Sequence, residues 1–163
     1  YIYNNYKAAC YGIDPSIDAI ADGELNYPEL TLSQGTAENL PFPNMSFDTV
    51  IIGFCLYLCD RSDLFSIAKE VDRILSDDGH LILYDFITPF PLINQYEHCE
   101  NIQSFKMDYA KMFSWNPEYS NVYAVTGEHN KAMGYAPPDL RVGVNVLKKS
   151  KKDAYSINPY DRA

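Results

Sequence analysis

Basic residues are scarce: 13 Lys and Arg stand against 22 Asp and Glu, a formal net charge of −9. A field of that sign repels polyanions, so a nucleic-acid partner would need a local basic patch, and the one candidate is the run Lys148, Lys149, Ser150, Lys151, Lys152. That run reads more simply as a solvated strand end, and no nucleic-acid partner is expected. No window of eighteen apolar residues occurs, which excludes a helical membrane span, and the stretch from Tyr1 to Asn5 carries neither a basic region nor a cleavable apolar run. The expectation is a cytoplasmic protein with no membrane partner. The four cysteines, Cys10, Cys55, Cys59 and Cys99, form no CxxC pair and have no histidines at ligand spacing, so no metal site is expected. They read as buried thiols that behave as small hydrophobes. Internal repeats and low-complexity segments are also lacking.

What the chain does have is apolar mass. With 163 residues, 47% apolar and 14% aromatic, it is long enough for a single domain that buries about two thirds of its unfolded surface. Residues 1–9 fit a short helix. Residues 10–13 read as a buried strand closed by Asp14, and Pro15 is suited to the first turn of a helix over 16–21. Residues 30–34 alternate with period two and end at Gly35, which predicts a further strand near an edge. The run Thr49, Val50, Ile51, Ile52, Gly53, Phe54 is apolar on consecutive positions and predicts an interior strand buried on both faces. Residues 60–63 offer capping side chains, and Leu64, Ile67, Ala68, Val71, Ile74 and Leu75 recur at helical spacing. The turn at 76–79 stops that helix, and residues 80–85 form the next strand, a parallel crossover unit. Residues 104–113 read as a helix. Strands at about 121–126 and 141–148, flanking a turn-rich stretch at 127–139, would form an antiparallel pair.

One stretch organises the rest. Ala37, Glu38, Asn39, Leu40, Pro41, Phe42 and Pro43, then Ser46, Phe47 and Asp48 ahead of a β-branched strand, form a string that resembles the class I S-adenosylmethionine-dependent methyltransferases, of the methyltransferase type 11 kind. The likeness extends upstream to the strand tip at Tyr11 to Ser16 and downstream to Tyr84, and fades after Pro89. It implies an α/β fold, a Rossmann-like three-layer sandwich with a mostly parallel sheet and a carboxyl-terminal antiparallel strand pair, as one domain over residues 1–163. The core would span 1–88 and a variable substrate or lid region 89–139. It also implies S-adenosyl-L-methionine as cofactor and methyl transfer to a small-molecule or saccharide acceptor.

Residue by residue, the resemblance places Asp14 and Pro15 at the ribose, since a carboxylate at a strand tip can accept hydrogen bonds from both ribose hydroxyls. Thr36, Ala37 and Glu38 stand where the family contacts adenine. Thr36 occupies a position commonly held by aspartate and would offer a weaker, neutral acceptor. Phe54 and Cys55 would lie against the methionine portion. The family's glycine-rich loop should precede the acid by roughly 20 positions, yet only thirteen residues stand before Asp14, with Gly12 their one glycine. The expectation is therefore that residues ahead of Tyr1 supply that loop and a first strand lying between the strands that end at Asp14 and near Phe54.

Methyl transfer needs little beyond alignment, but an alcohol or phenol acceptor needs a base. His98, Asp108 and Tyr109, in the variable region with His129, are the candidate catalytic residues. Two other readings stand beside the first: an NAD(P)-dependent oxidoreductase or epimerase, which shares the acidic strand tip, and a degenerate methyltransferase-like module that binds without turnover. The sequence carries no signal for an oligomeric state.

Overall fold

In the computed structural model, residues 2–128, 137–158 and 160 are described; His129 and Gly134 of the turn-rich stretch lie outside them. The chain divides into two compact units, Tyr1–Pro41 and Phe42–Ala163.

In the first unit, α1 (Ile2–Tyr6) leads to β1 (Tyr11–Asp14), α2 (Ile17–Asn26) and β2 (Thr31–Gln34). The Ser16 hydroxyl accepts the Ala19 N–H at 3.2 Å and starts α2. The helix runs five residues past its expected end, to Asn26. β1 and β2 pair in parallel from Tyr11↔Thr31 to Asp14↔Gln34, so their carboxyl ends finish side by side. An added Cβ on Gly12 would stand 2.7 Å from Leu32 Cδ2, so the glycine admits that side chain against the strand.

The second unit is built on a four-stranded sheet in the order β3-β4-β8-β7, with β3 (Phe47–Gly53), β4 (Leu75–Phe86), β7 (Tyr119–Glu128) and β8 (Arg141–Lys149). β3 and β4 are parallel, joined through α3 (Leu64–Ile74), while β8 runs antiparallel to both its neighbours. α3 buries Ile67, Val71 and Ile74 on one stripe. Asp63 takes the capping position, but its side chain makes no capping bond; its carbonyl accepts the Ile67 N–H at 2.8 Å. The expected turn at 76–79 is a bulge within β4: pairing steps from Phe47↔Leu75 to Thr49↔His80, and Asp78 turns it at φ 62.

Three expectations need correction. β3 is not buried on both faces: Ile52 is enclosed but Ile51 is 49% exposed, and β4 is its one strand partner among the described residues. A continuous apolar run reports strand propensity without fixing how many sides are covered. The helix over 104–113 is also absent. β6 (Gln103–Lys106) pairs antiparallel with β5 (Leu92–Gln95), and only α4 (Lys111–Ser114) is helical. The Phe105 N–H is committed to Tyr57 O at 2.7 Å, so tertiary pairing overrides the local spacing.

The basic run is a solvated end only in part, with Lys151 and Lys152 exposed but Lys149 enclosed. Lys149 is 3% exposed, its Nζ 2.9 Å from Asp72 Oδ1 and 2.7 Å from Asp72 O. Lys148 pairs with Asp78 at 2.9 Å, and the Lys151 N–H donates to Asp77 at 2.9 Å. Lys148 and Lys152 thus pair with Asp78 of the β4 bulge, and Lys149 with Asp72 of α3.

Candidate functional site

The tips of β1 and β2 assemble five of the expected residues. Asp14 is exposed, and its Oδ1 accepts the Ser16 N–H at 2.8 Å, which fixes the carboxylate at the strand end. The Asp14 carbonyl accepts the Gly35 N–H at 3.1 Å, bringing the turn of Thr36, Ala37 and Glu38 beside it. Gln34 Nε2 donates to the Pro15 carbonyl at 2.9 Å and locks the two tips together. An oriented, solvent-facing carboxylate next to a turn with a hydroxyl and backbone N–H groups is an acceptor and donor set suited to a ribose diol and a purine edge.

In the second unit, the carboxyl ends of β3 and β4 carry an aromatic cluster. Phe54, at φ 46, sets its ring edge-on to Tyr84 at 4.6 Å and to Phe86 at 5.8 Å. Tyr57 continues it to Phe86 at 5.2 Å and to Tyr96 at 6.1 Å, and Tyr96 meets His98 at 5.2 Å. Edge-to-face pairs of this kind lock ring positions. Burial first, and then the hydrogen bond with Tyr96, push the Tyr57 hydroxyl above the ordinary tyrosine range.

Between Tyr84 and Phe86 on β4 lies Asp85, 3% exposed. Its Oδ1 accepts the Phe86 N–H at 2.7 Å, while Oδ2 has no hydrogen-bond partner. Burial raises its pKa to about 6, against the opposing pull of backbone N–H groups of Phe86, Tyr57, Leu56 and Cys55. The carboxylate thus faces the turn that follows β3.

Arg61 organises the same turn. Its guanidinium donates to the carbonyls of Leu56 and Cys59 and to Tyr109 Oη at 2.8 Å, and it stacks on Phe105 at 4.4 Å. A cleft of about 630 Å³ opens there, lined in part by Cys59, Asp60, Arg61, Gln95, Gln103 and Phe105.

The three expected catalytic residues are placed differently from one another. His98 is exposed on the outer side of Tyr96. Asp108 accepts the Ala110 N–H at 3.2 Å and lies 3.9 Å from Lys111 Nζ, at the start of α4. Tyr109 is enclosed at 2% exposure; its hydroxyl donates to Phe105 O, accepts from Arg61, and is pushed up by burial to about 12. Its polar capacity is committed to packing. Asp85, Tyr57 and Arg61 were not singled out from sequence. The acid closing a predicted strand at Asp85 repeats the pattern of Asp14 and is the signal that would have found it.

The chain matches the methyltransferase domain family over residues 1–83, about half its length. It is 32% identical over 93 residues to the uncharacterized methyltransferase YcgJ of Bacillus subtilis, covering 53% of this chain and 36% of that protein. It is also 32% identical over 105 residues to a demethylmenaquinone methyltransferase of Beutenbergia cavernae, covering 64% of this chain and 43% of that protein. The chain thus spans roughly two fifths of these curated relatives. Among solved structures, a S-adenosylmethionine-dependent methyltransferase from Methanosarcina mazei superposes with a TM-score of 0.68 at 16% identity, over 86% of this chain and 81% of that one. The fold is therefore the Rossmann-like α/β fold of methyltransferases, and the chain belongs to the methyltransferase domain family. Membership makes S-adenosyl-L-methionine the cofactor, and the donor set at the β1 and β2 tips fits its adenosine half.

Proposed function

We propose that the protein carrying this chain is a S-adenosylmethionine-dependent methyltransferase acting on a small-molecule or saccharide acceptor. The observation that carries the reading is the exposed Asp14 carboxylate, oriented by the Ser16 N–H at the tip of β1 with the turn of residues 36–38 one strand away. When bound, the cofactor supplies an electrophilic methyl group on a cationic sulfur. Asp14 accepts hydrogen bonds from the ribose hydroxyls, with Pro15 fixing the tip. The Thr36 hydroxyl accepts from the adenine amino group, and Ala37 and Glu38 border the ring. His98 and Asp108 are the proton acceptors for an alcohol or phenol; Tyr109 acts by holding Arg61 and Phe105 in place.

The cluster of Phe54, Tyr57, Tyr84, Phe86 and Tyr96 favours a second reading of the acceptor, as a flat ring. The relatives named as demethylmenaquinone methyltransferases lend that reading support.

Isothermal titration is expected to show S-adenosylhomocysteine binding and no NAD binding. Asp14→Ala is expected to weaken the former by roughly 2–4 kcal/mol, through loss of charge-assisted hydrogen bonds, with an almost unchanged melting temperature. NAD binding in place of S-adenosylhomocysteine overturns the cofactor assignment. Unchanged affinity in the variant makes Asp14 a structural cap only.

A further inference from the structure

Cys55 and Cys59 stand at the two ends of the turn that follows β3, and their sulfurs are 3.6 Å apart. The turn is held from several sides. The Leu58 N–H donates to Cys55 O at 3.0 Å, and the Cys59 thiol donates to the same carbonyl at 3.4 Å. Leu56 is fully enclosed, and Arg61 binds the carbonyls of Leu56 and Cys59. This frame holds the two sulfurs within van der Waals contact, 3.6 Å apart, against the roughly 2.05 Å of a disulfide. Both residues are half-buried, and Cys59 lines the cleft of about 630 Å³, so a small reagent reaches it from solvent. By contrast Cys99 is exposed with its thiol directed to Glu100 O at 3.7 Å, and Cys10 has its thiol directed to Ala8 O at 3.5 Å.

We propose that Cys55 and Cys59 are a redox-sensitive dithiol that a low-molecular-weight disulfide such as glutathione disulfide converts to an intramolecular disulfide, stapling the wall of the cleft. The Cys59 thiolate attacks one sulfur of glutathione disulfide, forming a mixed disulfide and releasing one glutathione thiolate. The Cys55 thiolate then attacks the Cys59 sulfur and releases the second. The protein loses two electrons and two protons, and the oxidant is reduced to two glutathione molecules. Nothing in this step depends on methyl transfer. Its consequence is local: the closed ring fixes the turn whose N–H groups face Asp85 and whose Tyr57 carbonyl holds β6.

The test is to incubate the reduced, folded protein with excess glutathione disulfide, block remaining thiols with N-ethylmaleimide and map the peptides by mass spectrometry. Cys55 and Cys59 are expected to lose alkylation together, with no retained glutathione and with recovery under dithiothreitol, while Cys10 and Cys99 stay alkylatable or carry single glutathione adducts. In Cys55→Ser, Cys59 is expected to keep its glutathione, since the second thiol is gone. Persistent alkylation of both residues in the wild type, separate glutathione adducts on each, or cross-links between chains would each overturn the proposal.

Discussion

Among individual residues, Asp14 and Asp85 show what sequence does and does not reveal. The place of Asp14 at a strand tip was legible because its signals are local: a short apolar strand, an acid at its end and a proline next. Asp85 also ends a strand, but its character depends on burial and on the turn after β3, some thirty positions earlier, which no local pattern reports. Its folded pKa of about 6 lies above the ordinary 3.8. Between those values the folded state holds more proton than the unfolded one, so this residue's contribution to stability is full below pH 4 and declines as pH rises to about 6. The gap corresponds to ~3 kcal/mol. Asp85→Asn, which keeps the shape and cannot ionise, is expected to melt higher than the wild type at pH 7.5 and to show a flatter profile between pH 4 and 6. Parallel profiles for the two proteins would mean that the carboxylate carries no desolvation penalty.

For the secondary-structure elements, the strands and α3 were readable because their periodicity is written into contiguous residues. The β5–β6 pair was not, since Phe105 takes its strand form from bonds to Tyr57 and to the partner strand. The same distinction separates two strand glycines. An added Cβ at Gly143 of β8 would stand 2.5 Å from Val125 O on β7 and 2.5 Å from Ile87 Cδ1, whereas at Gly53 of β3 nothing lies within 4 Å. Gly143→Ala is expected to cost about 1–3 kcal/mol, because a backbone oxygen cannot swing aside. Gly53→Ala is expected to stay within about 0.5 kcal/mol. Urea denaturation of both variants checks the contrast; equal losses would show that β7 can shift away from β8.

At the level of the whole molecule, order in space and order in the chain disagree. β8 lies inside the sheet between β4 and β7, yet it follows both in sequence, and its clasp to Asp72 and Asp78 reaches back to α3 and the bulge. During synthesis, β4 therefore emerges with one edge waiting for a strand that has not been made, for ~3–11 s at 5–20 residues per second. Ribosome-bound nascent chains stalled before Arg141 are expected to remain protease-sensitive over β3 and β4, and chains long enough to free Lys149 from the exit tunnel to become resistant. Early resistance would mean that β3, α3 and β4 hold together without their neighbour. A slow run of codons between β4 and β8 would lengthen that wait, so the yield of folded protein depends on translation speed across residues 87–140, a stretch that supplies β7 but no partner for the open edge of β4.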